Sequence, residues 1–168
     1  RQFEVYKTFV DMHSENHARR SILEINSHNL LSGCSKKEKS TIIGAIALHN
    51  VAKLPEIKDN ERLFFTKLLR DADKLDIWNV VIENYANPDK NSSTINLGLP
   101  DNGNCSQDVI ESLKKKSIVN NKTIKELNDL KLLQIGWLFD LNFPCSIREA
   151  KNRGYIESII DSINIKNS

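Results

Sequence analysis

Apolar residues recur at intervals of three and four positions along most of the chain, which places them on one face of an α-helix. No segment shows a convincing alternation of apolar and polar residues, which is typical of a β-strand with one exposed face. The pattern therefore predicts an all-α fold. The predicted helices lie at about 14–27, 36–53, 60–85, 106–116, 123–140 and 146–163.

Three four-residue motifs indicate where helices begin. Each places a Ser or Thr three residues before a Glu, and in such a capping box the two residues satisfy each other's backbone N–H groups. The motifs are SKKE at 35–38, TIKE at 123–126 and SIRE at 146–149, and Pro144 reinforces the third boundary. Each motif is therefore predicted to start a helix.

The longest break in the helical pattern covers residues 86–106. It combines proline with glycine- and asparagine-rich turns, and these residues disfavour a continued helix. We expect a long exposed loop here that can serve as a lid over a site. The chain shows no internal repeat, and we predict one domain over residues 1–168.

Length and composition describe a globular protein. Of the 168 residues, 39% are hydrophobic and 27% are charged, and a chain of this length can form its own core. No apolar run approaches the roughly 18–20 residues of a membrane span, and no signal-peptide pattern is present. Cys34, Cys105 and Cys145 are far apart and odd in number, which fits a reducing compartment. We therefore predict a cytoplasmic protein with no membrane partner.

The stretch KLLRDADKLDIW places carboxylates near a helix face that apolar residues define. With about 100° between successive residues, Asp76 falls inside the apolar stripe and Asp73 falls at its edge. Arg70 and Lys74 fall on the opposite side, with Asp71 on the flank. A buried carboxylate needs backbone donors, a cation or a metal ion, so a structural role and a binding role both stay open. The stripe consists of Phe65, Leu68, Leu69, Ala72 and Leu75.

The preceding predicted helix also carries polar residues along its apolar seam. The helix face that carries the isoleucines continues with His49, Asn50 and Lys53. This change from apolar to polar residues suggests that the helix extends from the core to a pocket. His17 lies near the start of the first predicted helix, at the margin of its apolar face. Histidine and carboxylate side chains from separate helices are natural ligands of a divalent transition metal. A lone histidine on an apolar face is, however, more often an ordinary core residue.

Four stretches of the chain resemble one known family. They are SENHARRSILE, IIGAIALHNVAKLP, FFTKLLRDADKLDIW and LNDLKLLQIGWLFDLNF. These stretches are similar to the later part of the HD superfamily of metal-dependent phosphohydrolases, in an uncharacterised bacterial branch. The resemblance extends over nearly the whole chain and implies an HD-domain-like helical bundle.

The resemblance also implies roles for individual residues. Members of the family bind metal through an upstream histidine, a His-Asp doublet and a later aspartate, which corresponds to Asp73. His17 and His49 correspond to the additional histidines of members with two metal ions. The implied cofactor is one or two divalent ions such as Mn²⁺, Mg²⁺ or Fe²⁺, and Asp76 is expected to support the ligands. From their places on the predicted helices, Lys53, Asn50 and Arg70 are candidates to contact a substrate phosphate or to orient the ligands.

The sequence departs from the family pattern because it contains no His-Asp doublet. In the family this doublet leads into a segment similar to RQFEVYKTF, with which the present chain begins. We therefore expect an N-terminally truncated HD domain whose first ligands lie ahead of Arg1. Activity would require those ligands.

The resemblance implies hydrolysis of a phosphate ester, with a nucleotide or another small phosphorylated molecule as the substrate. The absent doublet keeps a second hypothesis open, in which a helical module binds a metal or a nucleotide without turnover. Nucleic-acid binding through SLKKKS is a less favoured third hypothesis, because 24 basic residues nearly balance 22 acidic ones. Assembly into a homodimer is also open.

Overall fold

The structure is a computed structural model, and it describes residues 16–87 and 95–165. Within these ranges the regular elements are helices and none is a strand, which confirms the predicted all-α class. None of the described helices is long and apolar enough to cross a membrane. The α-helices are α1 His17–Ser27, α2 Lys36–Leu48, α3 Asn60–Ala86, α4 Gln107–Lys114, α5 Leu127–Gly136, α6 Pro144–Asn152 and α7 Tyr155–Ser162.

The capping box predicted at the start of α2 is confirmed. The Glu38 N–H donates to the Ser35 hydroxyl oxygen at 3.3 Å, and the Ser35 N–H donates to the Glu38 carboxylate at 2.7 Å. The box predicted at Thr123 was wrong, because this residue ends a 3₁₀ helix. Helix α5 begins later, at Leu127, where the Asp129 carboxylate accepts backbone N–H groups and caps the helix.

The predicted helix at 146–163 is two helices. Helix α6 begins at Pro144, whose φ angle already suits the first helical position. The capping role predicted for Ser146 was therefore wrong, because Ser146 lies inside α6. The chain then turns at Gly154, with a φ of 62° in the left-handed region that glycine adopts without strain at a Cβ atom.

The described residues form two compact units that divide between Asp73 and Lys74. The N-terminal unit holds α1, α2 and the first part of α3, and the C-terminal unit holds the rest of α3 and α4 to α7. The single domain stays a prediction. Of the predicted connection at 86–106, residues 88–94 lie outside the described ranges, and residues 96–106 are turns, bends and coil.

Large apolar side chains fill the core of the C-terminal unit. Helix α5 is buried on most of its sides, and three of its leucines belong to one cluster of aliphatic residues. A second cluster contains Trp78, whose ring N–H donates to the Gln134 carbonyl oxygen at 3.1 Å. The clusters are Val109, Val119, Leu127, Leu130 and Leu133, and Trp78, Ala150, Tyr155 and Ile159.

The N-terminal unit has a different interior. Helix α1 packs against α2, and the Arg62 side chain of α3 covers Gly44 of α2 so closely that an added Cβ would lie 2.8 Å from its Cδ atom. In the described part of this unit, the buried apolar residues are Ala18 and Ala45. The other buried residues are polar or charged, namely Thr41, His49, Thr66, Arg70 and Asp71.

The predicted inner face of α3 was wrong. Arg70, Asp71 and Lys74 are buried, whereas Asp76 is exposed. The prediction from the apolar stripe failed because the basic residues on the other side of α3 have partners inside the protein. Arg70 donates to backbone carbonyl groups, and Lys74 forms an ion pair with Asp140 at 2.7 Å, and pairing of this kind is what allows a charge to be buried. The exposed members of the stripe are Phe65, Leu68 and Ala72.

Candidate metal centre

Each described helix of the N-terminal unit supplies one side chain to a cluster of potential metal ligands. His17 is the first residue of α1, and His49 directly follows α2 as its C-cap. Asp73 lies in α3. The fold therefore brings together the three residues that the sequence predicted as ligands, although they are far apart along the chain.

The three side chains converge on a small volume. One potential ligand atom from each lies within 4.8 Å of the others. The Nε2 atoms of His17 and His49 are 2.8 Å apart, and the His49 Nε2 atom is 4.0 Å from an Asp73 carboxylate oxygen. His49 is buried, whereas His17 and Asp73 are half-buried, so the cluster is partly accessible to solvent.

A backbone contact fixes the orientation of the His49 ring. Its Nδ1 atom lies 2.7 Å from the Ile46 carbonyl oxygen. A carbonyl oxygen can only accept, so Nδ1 carries a hydrogen and donates it. The Nε2 atom of the neutral ring then has its lone pair directed at His17 and Asp73. Metal-binding histidines use the same arrangement, in which one ring nitrogen donates to a backbone carbonyl and the other binds the ion.

The contact between the two Nε2 atoms constrains where the hydrogens lie. Two lone pairs cannot face each other at 2.8 Å, so one nitrogen must donate to the other. When the His49 ring is neutral, its Nε2 atom accepts, and the shared hydrogen is then that of the His17 Nε2 atom. A metal ion bound by both rings would take the place of this hydrogen.

The donor set and its spacing fit a divalent transition metal. Two atoms that each lie about 2.1 Å from an ion are about 3.0 Å apart at a right angle and about 4.2 Å apart on opposite sides. The separations of 2.8 Å and 4.0 Å lie within the span of two atoms bound to one ion, and the three potential ligand atoms lie within 4.8 Å of one another. Two imidazoles and one carboxylate suit iron, manganese, cobalt or zinc and leave further coordination positions open. Magnesium prefers oxygen ligands.

The other predicted site residues lie in different settings. Asn50 is half-buried and directly follows His49. The prediction that Lys53 continues the helical seam was wrong, because α2 ends at Leu48 and Lys53 is exposed in the segment that follows. Asp76 is exposed on α3 and does not belong to the cluster of potential ligands in the described residues.

Arg70 is the predicted site residue whose setting differs most from the expectation. Only 3% of it is exposed. Its Nη1 atom donates to the carbonyl oxygens of Val51 at 2.7 Å, His49 at 2.9 Å and Leu48 at 3.4 Å. Little in the sequence indicates these contacts, because the accepting groups belong to the backbone, as does the Ile46 carbonyl that orients His49.

A shallow groove lies next to the start of α1. It has a volume of about 300 Å³, and its lining includes Asn16 and Ala18, the two chain neighbours of His17. The groove offers mainly apolar surface, with Arg19 at its margin. Its lining residues are Asn16, Ala18, Arg19, Ile22, Leu23 and Ala47.

Comparison of the chain with models of protein families, with curated proteins and with solved structures gave no match. The arrangement of His17, His49 and Asp73 is therefore the observation on which a functional interpretation of this chain depends.

Proposed function

We propose that His17, His49 and Asp73 bind a divalent transition-metal ion such as Mn²⁺, Fe²⁺ or Co²⁺. The observation that supports this proposal is the convergence of two imidazole nitrogens and a carboxylate within 4.8 Å of one another. The carboxylate supplies the negative charge that two neutral rings lack, and the bond from His49 to the Ile46 carbonyl directs the Nε2 lone pair into the cluster.

We propose further that the site serves the hydrolysis of a phosphate ester, with a nucleotide or another small phosphorylated molecule as the substrate. This part rests on the resemblance of the sequence to the HD superfamily. When bound, a divalent ion supplies Lewis acidity and lowers the pKa of a water molecule. The two histidines and Asp73 hold the ion in this proposal, and Lys53, which is exposed in the segment after α2, is the proposed partner of a substrate phosphate.

A second candidate function is binding of a metal or a nucleotide without turnover. The observation that favours it is the cluster itself, because three potential ligands can hold an ion whether or not a substrate is turned over.

Titration of ligand variants with Co²⁺ tests the metal site. His17→Ala and Asp73→Asn each remove one ligand, and we expect each to weaken Co²⁺ affinity by at least about 100-fold, because even residues that only orient a ligand contribute about 10- to 100-fold. His28→Ala is the matched control, since His28 is exposed and contacts the Glu24 carbonyl. Equal affinity in all four proteins would contradict the proposed site.

Product analysis tests the proposed reaction separately, by release of inorganic phosphate from nucleotides and of the alcohol from phosphodiesters. We expect the Mn²⁺-loaded full-length protein, with any ligands ahead of Arg1, to hydrolyse members of a panel of nucleotides and generic phosphodiesters. Asp73→Asn or chelation should abolish this activity. Metal binding without turnover on any of these compounds would favour the binding module. Hydrolysis that survives both the substitution and chelation would contradict a role of this site in catalysis.

A further inference from the structure

Arg70 connects α3 to the chain at the end of α2. Its Nη1 atom donates to the carbonyl oxygens of Leu48, His49 and Val51. The last carbonyl groups of a helix have no partner within the helix, and the partial negative charge at this end favours a cation. The guanidinium group therefore holds the backbone at His49 itself and on both sides of it.

The same face of α3 also carries Asp73. Residues three positions apart are neighbours on a helix surface, so Arg70 and Asp73 lie one above the other. Arg70 binds the His49 carbonyl oxygen at 2.9 Å, while the Asp73 carboxylate lies 4.0 Å from the His49 Nε2 atom. One helix face thus fixes the backbone of His49 and presents a carboxylate to its ring.

The orientation of the His49 ring depends on the same part of the backbone. The ring donates to the carbonyl oxygen of Ile46, in the last turn of α2. Arg70 holds the residues that end this turn. Movement of the chain end away from Arg70 would therefore move the Nε2 atom relative to both His17 and Asp73.

We propose that Arg70 is a positioning residue that sets the spacing between His49 and Asp73 and thereby the affinity and coordination geometry of the metal site. This inference rests on the proposed metal site. Contact of Arg70 with a substrate is disfavoured, because only 3% of the residue is exposed and its Nη1 atom is directed at the backbone.

The substitution Arg70→Lys tests this role. Lysine keeps the positive charge but replaces the planar guanidinium group with a single nitrogen that donates in other directions. We expect Co²⁺ affinity to fall about tenfold and the visible absorption spectrum of bound Co²⁺ to change, because its ligands are displaced. Both are measured by Co²⁺ titration well below the unfolding temperature, where a loss of stability alone would change neither.

Arg62→Lys is the matched control. Arg62 also reaches from α3 to α2, where its Nη2 atom donates to the Ser40 hydroxyl oxygen at 2.7 Å, far from His49 along α2. We expect this variant to keep wild-type Co²⁺ affinity and spectrum. Wild-type binding by Arg70→Lys would overturn the positioning role alone. Failure of the wild type to bind Co²⁺ would overturn the metal site and this inference with it.

If Arg70→Lys does not fold, the wild-type protein provides an independent measurement. Hydrogen exchange of the Arg70 side chain can be followed by NMR with and without Zn²⁺. Binding of Zn²⁺ to His49 and Asp73 stabilises the arrangement that Arg70 holds, so we expect exchange to slow by roughly tenfold or more under saturating Zn²⁺. Exchange that is unchanged with Zn²⁺ bound would overturn the inference.

Discussion

The two units of the molecule each hold a group of polar side chains whose partners differ in kind. In the C-terminal unit, buried side chains such as Lys131 and Asp129 are hydrogen-bonded to groups of complementary type, as when the Lys131 ammonium donates to the Ser162 carbonyl oxygen. In the N-terminal unit, His17, His49 and Asp73 direct potential metal ligands at one another. The Lys131 ammonium and the Ser162 carbonyl oxygen satisfy each other. The three side chains of the cluster instead bring potential ligand atoms together at one place that suits a cation.

Asp129 and Asp73 show the contrast between two residues of the same type. The Asp129 carboxylate is fully buried and accepts from the Ser106 N–H and hydroxyl at 2.6 Å, and from the N–H groups of Lys125 and Glu126. Asp73 is half-buried, and its oxygen lies 4.0 Å from a histidine nitrogen. A carboxylate surrounded by backbone donors is structural, and one that faces imidazole nitrogens is suited to bind a metal.

Replacement of each aspartate by asparagine gives the largest expected difference. Asp129→Asn puts an amide group among three or more donors, and we expect it to lower the free energy of unfolding by about 3 kcal/mol, since hydrogen bonds to charged groups contribute about 1.5–3 kcal/mol. Asp73→Asn should change the metal-free value by less than about 1 kcal/mol. Urea denaturation of both variants measures the difference. Equal losses would remove the distinction between the two carboxylates.

The acid dependence of stability should follow Asp129. Burial raises the pKa of this carboxyl group, but hydrogen bonds from Ser106, Lys125 and Glu126 outweigh it and hold the pKa below its ordinary value of 3.8. Because the folded pKa is the lower one, the stabilisation is complete above pH 3.8 and is lost as the pH falls through the folded pKa.

The effect of pH on the free energy of unfolding should be smaller than the effect of Asp129→Asn, and it tests the same contrast between Asp129 and Asp73. We expect the difference in unfolding free energy between the wild type and Asp129→Asn to shrink as the pH is lowered below 3.8. Denaturation of both proteins at a series of acid pH values measures this difference. A constant difference across the series would show that the charge of Asp129 contributes nothing through its hydrogen bonds.

The sequence predicted helices well where local residues decide the structure. Ser35 and Glu38 form their capping box because both partners lie within one turn. Helix α5 begins beyond its predicted start because the Asp129 carboxylate caps it at Glu126. The residues next to Thr123 do not show which carboxylate later in the chain will accept hydrogen bonds from the backbone at the helix start.

The candidate ligands could be predicted, but the face of α3 could not. His17, His49 and Asp73 have side chains that can bind a metal and lie on separate predicted helices, so their types and positions were enough to select them as candidates. The burial of Arg70 and Lys74 depends on backbone carbonyl groups and on Asp140, which are distant along the chain. A helical wheel considers only the polarity of each residue on the helix, so it assigns Arg70 and Lys74 to the surface.

The most direct test of the metal site is the NMR signal of each histidine ring nitrogen during titration with Zn²⁺. We expect the Nε2 signals of His17 and His49 to shift together and to saturate at one equivalent. The His49 Nδ1 atom should keep its hydrogen, because it donates to the Ile46 carbonyl oxygen, and the exposed His28 should not respond. Unchanged Nε2 signals of His17 and His49 in the presence of Zn²⁺ would contradict the proposal that these residues and Asp73 form a metal centre.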